Sequence, residues 1–371
     1  MNTKTILAAS VSLTTLLGTA SSTWAADLDA LYAAAKQEGQ LTIIASPRDW
    51  CNYGGLEDAF TKKYPGISIN SISEEVGSGD ELEAIKANKG NTGPQAPDTI
   101  DVGIGFGPKA KADGRIISYK PTGWEKIPDG AKDPDGFWYG GYYGLMAFMI
   151  NDDVVTNPPK TWADLNKDDG QDGPLFALTG DPRKDNRGIL GVWAAGLATN
   201  GGDQAKAAAD GLAYFKSLND KGRFVPINAR QAALASGQAH VIAAWDFNLY
   251  AWQAGLKDNP KTSIVVPTDS LVAGVYVQAI SAYAPHPNAA KLWEEFIYSD
   301  EGQTQWLAGY CHPIMFSDMV SRKVVADDLL AKLPDPALYA KAIFPTVEQQ
   351  DAATTEIVTN WDTVVGADVT K

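Results

Sequence analysis

Short apolar segments alternate with amphipathic segments along most of this 371-residue sequence. Apolar runs bounded by turn residues predict buried strands, and apolar residues three to four positions apart predict helices that pack on them. The predicted strands are Leu41–Ser46, Ser68–Ser73, Thr99–Ile104, Phe137–Ile150, Leu175–Leu178, Phe224–Ile227, His240–Ala244, Ser263–Val266 and Val275–Tyr283. The predicted helices are Leu56–Tyr64, Gly77–Lys86, Thr161–Leu165, Arg187–Thr199, Ala205–Leu218, Arg230–Ser236, Ala289–Ile297 and Glu301–Leu307. Because strands and helices alternate, we expect an α/β architecture with mostly parallel sheets.

The N-terminal segment has the features of a signal peptide. Lys4 provides a positive charge, Ile6–Gly18 is a run of mostly apolar and small residues, and Thr23–Ala25 has the small-x-small pattern of a cleavage site. The apolar run is too short to span a bilayer. We therefore predict that residues 1–25 are removed, that the mature chain begins near Ala26, and that the protein is secreted into the periplasm.

Length and charge restrict the classes of partner. The chain is long enough for about two domains, and its formal net charge is −14 at pH 7. An acidic surface repels the phosphates of nucleic acids, so we expect no nucleic-acid partner. Charge alone does not identify a partner of another kind.

Two cysteines, Cys51 and Cys311, lie far apart in the sequence. An even number of cysteines in an oxidising compartment is compatible with a disulfide, which would join the early part of the chain to its last third. Two buried free thiols are the alternative. Neither cysteine belongs to a Cys/His motif, so we expect no catalytic cysteine.

The order of the segments predicts two lobes, of which the first is built from discontinuous chain. Lys120–Gly136 is rich in proline, glycine and aspartate and is the predicted first crossing, and Pro267–Ala273 is the predicted return. The predicted lobe 1 therefore comprises residues 26–135, lobe 2 comprises residues 136–268, and residues 269–371 return to lobe 1 and add C-terminal helices.

Three motifs resemble those of family 1 extracellular solute-binding proteins. The most specific is Pro287–Gln303, which resembles a helix pair of that family, and Asn157–Leu165 and Ala235–Asp246 are also typical of it. The branch concerned includes receptors for polyamines, ferric iron, thiamine and small amines. The resemblance implies a two-lobed periplasmic binding protein fold of type II that closes around a small molecule. It further implies a monomer that docks on an inner-membrane ABC permease and is not an enzyme.

Aromatic residues are the first candidates for contact with a ligand. The loop Ser46–Tyr53 resembles the early loop that supplies aromatic walls in the polyamine-binding members, and Trp50 and Tyr53 occupy the matching positions. Tyr276 lies in a strand where relatives present an aromatic residue to the ligand. Aromatic faces attract cations. The alternative for all three residues is ordinary packing in the core.

Trp245 and Asp246 directly follow an apolar strand. Ligands of open α/β sheets bind outside the carboxyl ends of strands. The carboxylate of Asp246 resembles the amine anchor of the family, and Trp245 would cover the aliphatic body of the ligand. A solvated aspartate in a turn is the alternative. We predict that Asp246→Ala abolishes binding while the fold stays intact.

Two arginines are candidates for binding a carboxylate. Arg223 precedes the strand Phe224–Ile227, and Arg183 follows the strand Leu175–Leu178. A guanidinium in a cleft can bind a carboxylate in a bidentate manner, although a surface ion pair is the alternative for each arginine.

An arginine opposite an aspartate fits a ligand with one carboxylate and one ammonium group, which resembles the receptors for 4-aminobutyrate. A polyamine such as putrescine or spermidine requires several carboxylates and is repelled by arginines. Polyamines, aminophosphonates and thiamine remain alternatives within the same class of receptor.

The sequence lacks motifs for catalysis or metal binding. Its three histidines, His240, His286 and His312, do not have the spacing of metal ligands, and no nucleophile elbow or P-loop occurs. We expect no metal and no cofactor, and a periplasmic hydrolase is the remote alternative. A receptor that presents its ligand to a sensor protein instead of a permease is a further alternative.

Overall fold

The computed structural model describes residues 20–167, 173–331, 333, 336–339 and 341–370. Of the predicted signal peptide, residues 1–19 lie outside the described residues and residues 20–25 belong to the first helix, so the signal peptide stays a prediction. The helices are α1 (Ala20–Glu38), α2 (Tyr53–Lys63), α3 (Ser78–Ala87), α4 (Gly107–Ala112), α5 (Trp162–Leu165), α6 (Asn186–Thr199), α7 (Ala207–Asp220), α8 (Gln231–Ala235), α9 (Asp246–Leu256), α10 (Pro287–Ile297), α11 (Asp300–Ala308), α12 (Phe316–Ser321), α13 (Asp327–Leu330), α14 (Pro336–Tyr339) and α15 (Val347–Val364). The strands are β1 (Gln40–Ile44), β2 (Ser68–Ile72), β3 (Thr99–Gly103), β4 (Ile116–Ile117), β5 (Tyr139–Asn151), β6 (Phe176–Leu178), β7 (Val241–Trp245), β8 (Thr262–Val265), β9 (Ala273–Ser281) and β10 (His312–Pro313).

The predicted strands and helices are found close to their predicted positions, with one exception. Thr161 caps α5 as expected, because its hydroxyl oxygen accepts a hydrogen bond from the backbone N–H of Asp164 at 3.0 Å. The predicted strand Phe224–Ile227 makes only two isolated bridges, one at each of its end residues. The α/β character of the fold is therefore confirmed.

The described strands form one mixed sheet in the order β2-β1-β3-β9-β5-β7-β6, with β4 beside β9 and with β8 and β10 beside β5. Among these strands β1–β2, β1–β3 and β6–β7 are parallel, whereas β5 and β9 pair antiparallel with their neighbours. The expectation of mostly parallel sheets is therefore wrong. The physical reason is that β5 leads the chain out of one half of the molecule and β9 leads it back, so the two run in opposite directions.

Strand β5 belongs to both halves of the sheet. Its residues 139–145 pair with β9, and its residues 146–151 pair with β7 and β8. We call the part around β1 to β4, β9 and β10 the first lobe, and the part around β6 to β8 the second lobe. The change of partner after Leu145 leads us to propose that the lobes meet there. The predicted boundaries near residues 136 and 268 stay predictions.

Helix α6, which faces the first lobe, is held in the second lobe by its close packing on α7. Helix α6 crosses α7 so closely that a Cβ atom at Gly196 would lie 1.9 Å from the carbonyl oxygen of Ala207, and one at Gly211 would lie 2.1 Å from that of Val192. Only glycine permits this approach. Helix α6 packs on one face of the second-lobe sheet, with α7 and α15 packed against it, and α8 and α9 cover the other face.

Two connections hold distant parts of the chain together. Helix α15 packs on α6 and α7 and also on the 3-10 turn Ile104–Phe106, so it contacts both lobes. Cys51 and Cys311 are joined by a disulfide with a Cα–Cα distance of 5.5 Å. None of the described helices combines the length and the apolar character that a membrane crossing requires.

Candidate functional site

A cleft between the lobes is formed at the carboxyl ends of parallel strands, where ligands of α/β proteins bind. The first lobe contributes the loops after β1 and β2 and part of β3, and the second lobe contributes the beginning of α6, Arg230 before α8, and α9. The enclosed part of the cleft is lined by Ala45, Pro47, Trp50, Glu74, Glu75, Val76, Gly77, Ser78, Glu81, Asp101, Asp185, Arg187, Arg230, Trp252 and Tyr276. Its volume is about 30 Å³, which is room for roughly one or two water molecules. The two walls are therefore nearly in contact.

Arg187 is the central cation of the second-lobe wall. Asp185 caps α6 by accepting the backbone N–H of Arg187 at 2.8 Å, and it also accepts the side-chain Nε and Nη2 at 3.0 and 2.6 Å. Burial opposes the charge, but the Asp185 carboxylate outweighs this effect and raises the pKa of Arg187. The guanidinium lies 5.0 Å from the ring centroid of Trp50. Its Nη1 donates no hydrogen bond within the described part of the chain.

Glu81 is a buried carboxyl group on the opposite wall. It lies in the first turns of α3 and is 1% exposed. Its Oε2 accepts the backbone N–H of Asp101 at 3.0 Å, whereas Oε1 has no hydrogen-bond partner among the described residues. Burial raises the pKa of Glu81 well above its usual range. The cavity therefore contains a buried acceptor that a ligand can use.

A network of hydroxyl and amide groups surrounds Asp101 beside Glu81. The carboxylate accepts the hydroxyls of Tyr53 at 2.8 Å and Tyr142 at 2.5 Å, and the Nε2 of Gln278 at 2.8 Å. Burial raises the pKa of Asp101 to about 7. These donors fix the carboxyl group at the base of the first-lobe wall.

Aromatic rings complete the cavity. Trp50 donates its Nε1–H to the hydroxyl of Tyr142, and its ring packs edge to face on Tyr276 at 5.2 Å. Tyr276 in turn stacks on Tyr142 at 5.4 Å. Trp252 of α9 lines the second-lobe side and is almost fully buried. The disulfide at Cys51 directly follows Trp50 and holds this loop against the segment before β10.

Three ion pairs, made by two cations, connect the walls. The guanidinium of Arg230 in the second lobe donates to Glu75 and to Asp49 in the first, the latter at 2.9 Å. Lys184 lies 3.2 Å from Asp80, and its carbonyl oxygen accepts the backbone N–H of Gly79 at 3.0 Å. The cations thus come from the second lobe and the anions from the first.

The structure places three of the predicted site residues at or near the cavity. Trp50 and Tyr276 line it. Tyr53 lies behind the wall, where its hydroxyl donates to Asp101 and its ring packs edge to face on Trp306 at 5.1 Å.

Asp246 and Trp245 lie beside the cleft and do not line its enclosed part. Asp246 is fully buried and accepts the backbone N–H groups of Leu145 at 3.0 Å and Phe247 at 2.8 Å, and the hydroxyl of Tyr339. Burial raises the pKa of Asp246 to about 7. Trp245 donates its Nε1–H to the hydroxyl of Tyr276 at 3.2 Å. Asp246 is therefore not the solvated turn residue of the alternative interpretation.

The two predicted arginines lie elsewhere. Arg223 donates to the carbonyl oxygen of Lys167 at 2.8 Å and lines a groove on the far side of the second lobe. Arg183 forms a bidentate pair with Asp181 and a second ion pair with Asp368 at 2.9 Å, so it fastens the C-terminal segment next to the cleft. Neither arginine lines the enclosed cavity.

Sequence reasoning missed Arg187, Glu81 and Arg230. Arg187 is the first residue of the predicted helix Arg187–Thr199, and an aspartate two residues earlier is the pattern of a capped helix start. Glu81 follows the predicted helix start at Gly77 by one turn. No group of three or more His, Cys, Asp or Glu side chains in the described residues can hold a metal ion, and the arrangement supports reversible binding of a small charged molecule.

Comparisons with known proteins agree with this architecture. Residues 95–337 match the model of a family described as bacterial extracellular solute-binding protein. No curated protein matches the chain. Among solved structures, the periplasmic binding protein AfuA from Actinobacillus pleuropneumoniae, solved with exogenous fructose-6-phosphate bound, is 20% identical. The likeness covers 88% of this chain and 99% of that chain, with a TM-score of 0.64.

Two further solved structures are similar. An ABC transporter substrate-binding protein from Bradyrhizobium japonicum is 17% identical, covers 88% of this chain and 99% of its own, and has a TM-score of 0.68. A GABA receptor is 16% identical, and the likeness covers 87% of this chain and 96% of that chain, with a TM-score of 0.61. At these identities the likeness shows the fold, and the predicted two-lobed periplasmic binding protein architecture is confirmed.

Proposed function

Because the chain belongs to the bacterial extracellular solute-binding proteins, we propose that its cleft binds a zwitterionic ω-amino acid such as 4-aminobutyrate. The family and the structural neighbours are substrate-binding proteins of ABC importers and not enzymes. Such proteins bind a small ligand outside the cytoplasm and deliver it to a membrane permease.

The observation that carries the proposal is a free donor and a free acceptor on opposite walls of one cavity. Arg187 lines the second-lobe wall with an Nη1 that has no hydrogen-bond partner among the described residues, and Glu81 lines the first-lobe wall with an Oε1 that likewise has none among them. A ligand carboxylate fits the guanidinium. Burial favours the neutral form of Glu81 in the empty cavity, and a ligand ammonium beside it would favour the ionised form and pair with it. Each of these contacts reaches full strength only when the lobes are closed.

The uncharged part of the ligand is proposed to lie against the rings of Trp50, Trp252 and Tyr276, which line the same cavity. Trp50 and Tyr276 keep the roles predicted for them as walls, and Trp252 is added to them. In the revised set Arg187 takes the place proposed for Arg223 or Arg183.

The other ligand classes fit this cavity less well. A polyamine has no acidic group for Arg187 and is repelled by it. Thiamine likewise has no carboxylate. A sugar phosphate, of the kind bound to the Actinobacillus protein, suits the arginine but leaves Glu81 without a cationic partner. An aminophosphonate has both charges and is the second candidate.

The proposal is tested by calorimetric titration of the mature protein with 4-aminobutyrate, 2-aminoethylphosphonate, putrescine and fructose-6-phosphate. We expect binding of the first or second compound, and a rise of several degrees in the unfolding midpoint at saturation. Arg187→Gln and Glu81→Gln should each weaken binding about hundredfold, since each leaves one ligand charge unpaired.

Arg223→Gln is the matched control, because Arg223 lies outside the cavity. Its affinity for the ligand should stay within about twofold of the parent protein. Tight binding of putrescine would contradict the proposed ligand class. A loss of affinity in Arg223→Gln as large as that in Arg187→Gln would contradict the assigned walls.

A further inference from the structure

We propose that Arg230 is a gate between the enclosed cavity and solvent, and that the acidic group of the ligand opens it. The inference rests on the proposal that this cleft is the ligand site. Arg230 lines the enclosed cavity of about 30 Å³ and also an open pocket of about 500 Å³ beside it. Pro47, Glu74 and Glu75 line both spaces too. The side chain of Arg230 therefore lies at the boundary between the two spaces.

The closed position of Arg230 is held by groups of the first lobe. Its Nη1 donates to Glu75, and its Nη2 donates to the two oxygens of Asp49 at 2.9 and 3.3 Å. On the second-lobe side the guanidinium lies 5.6 Å from the ring centroid of Trp252. The side chain thus extends across the cleft from its base in the second lobe.

The exposure of these groups indicates that the bridge can break. The side chain of Arg230 is 27% exposed, and those of Asp49 and Glu75 are 46% and 58% exposed. Exposed ion pairs contribute little and are screened by salt. The pair of Arg187 and Asp185 is more buried, at 12% and 7%, and we expect it to stay intact while the gate opens.

The chemistry of the gate selects for an anionic group. A carboxylate or phosphonate that enters the open pocket can replace Asp49 or Glu75 as the partner of Arg230. A ligand without an acidic group offers no such replacement. The two first-lobe carboxylates therefore compete with the ligand, and Arg230 acts as a specificity-determining residue at the entrance.

The test is stopped-flow measurement of tryptophan fluorescence with 4-aminobutyrate and 2-aminoethylphosphonate as probes, together with calorimetry. In the double variant Asp49→Asn/Glu75→Gln the competing charges are gone, so we expect association about tenfold faster and tighter binding. Arg230→Gln should also associate faster. It lacks the guanidinium that binds the acidic group of the ligand, so its dissociation should accelerate more than its association and its affinity should fall. Slower or unchanged association in the double variant would overturn the gate.

Lys184→Gln is the matched control, because its ion pair with Asp80 also joins the lobes but lies outside the enclosed cavity. Its association rate should stay within about twofold of the parent protein.

A measurement without ligand separates this inference from the proposed function. Hydrogen exchange of residues 45–50 in the ligand-free protein should become faster in Arg230→Gln and in the double variant, and should not change in Lys184→Gln. If neither probe binds any form, faster exchange in the gate variants still supports the gate. Unchanged exchange overturns it.

Discussion

Two buried aspartates, Asp101 and Asp246, occupy similar environments and yet have different positions relative to the cleft. Burial raises the pKa of each to about 7. Asp101 accepts two tyrosine hydroxyls and an amide, and Asp246 accepts two backbone N–H groups and a tyrosine hydroxyl. Only Asp101 lines the cavity. Hydrogen bonding and burial alone therefore do not identify a ligand contact.

The partners of the two carboxylates indicate different tasks. Those of Asp101 are side chains of the first lobe and of the adjoining part of β5, which together form the base of one wall. Asp246 begins α9 of the second lobe and binds Leu145 of β5, the last residue before that strand changes its pairing partner. It also binds Tyr339 near the C-terminus. We infer that Asp246 stabilises the junction of the lobes.

The largest expected effect is a change in the pH dependence of stability in Asp246→Asn. Burial raises the folded pKa above the unfolded value near 3.9, so between these values the unfolded chain has lost a proton that the folded chain keeps. Stability therefore falls as the pH rises from about 4 to about 7. Asparagine does not titrate, so the stability of the variant relative to the parent should rise by about 4 kcal/mol over this range.

Urea unfolding at a series of pH values measures this difference. Asp101→Asn should show a rise of similar size, since its pKa is raised to a similar value. If the difference in the free energy of unfolding between the parent and a variant does not change with pH, the carboxyl group concerned is ionised throughout this range in the folded parent.

Asp246→Ala should have the next largest effect. It leaves the buried N–H groups of Leu145 and Phe247 without an acceptor, which should lower the free energy of unfolding by about 3 kcal/mol. The affinity of the folded variant for the ligand should change little. A stable variant that no longer binds any ligand would instead support the amine-anchor role predicted for Asp246.

The effect of Asp101→Asn on the free energy of binding should be smaller than the effects of Asp246→Asn and Asp246→Ala on the free energy of unfolding. The variant removes a negative charge from the wall beside Glu81, so the affinity for a ligand ammonium should fall about tenfold, or about 1.4 kcal/mol. Asp246→Asn should bind within about twofold of the parent. Calorimetric titration at pH 8, where both carboxyl groups are ionised in the parent, makes the comparison direct. Equal losses in the two variants would remove the distinction between wall and junction.

Local sequence patterns predicted much of the fold. The alternation of strands and helices fixed most elements, and Thr161 was recognised as a cap from its residue type alone. The direction of β5 was not predictable in this way, because pairing with β9 joins residues more than a hundred positions apart. The same holds for the position at which the lobes meet.

The site was less predictable than the fold. Trp50 and Tyr276 were found through the resemblance of their segments to those of the family's receptors. The rule that ligands bind at the carboxyl ends of strands selected Asp246, whose oxygens are used by Leu145 and Tyr339 in contacts that only the folded chain reveals. Arg187 and Glu81 lie in the first turns of helices. Whether each can bind a ligand depends on which of its side-chain atoms hydrogen-bond to neighbouring groups, and the sequence does not show this.

The bond between Cys51 and Cys311 closes a loop with a sequence separation of 260 residues. A chain that emerges from its N-terminal end presents Cys51 long before its partner. The loop that carries Trp50 consequently receives its covalent anchor only after most of the polypeptide has appeared. Covalent anchoring of the aromatic wall is thus tied to the appearance of the last third of the chain.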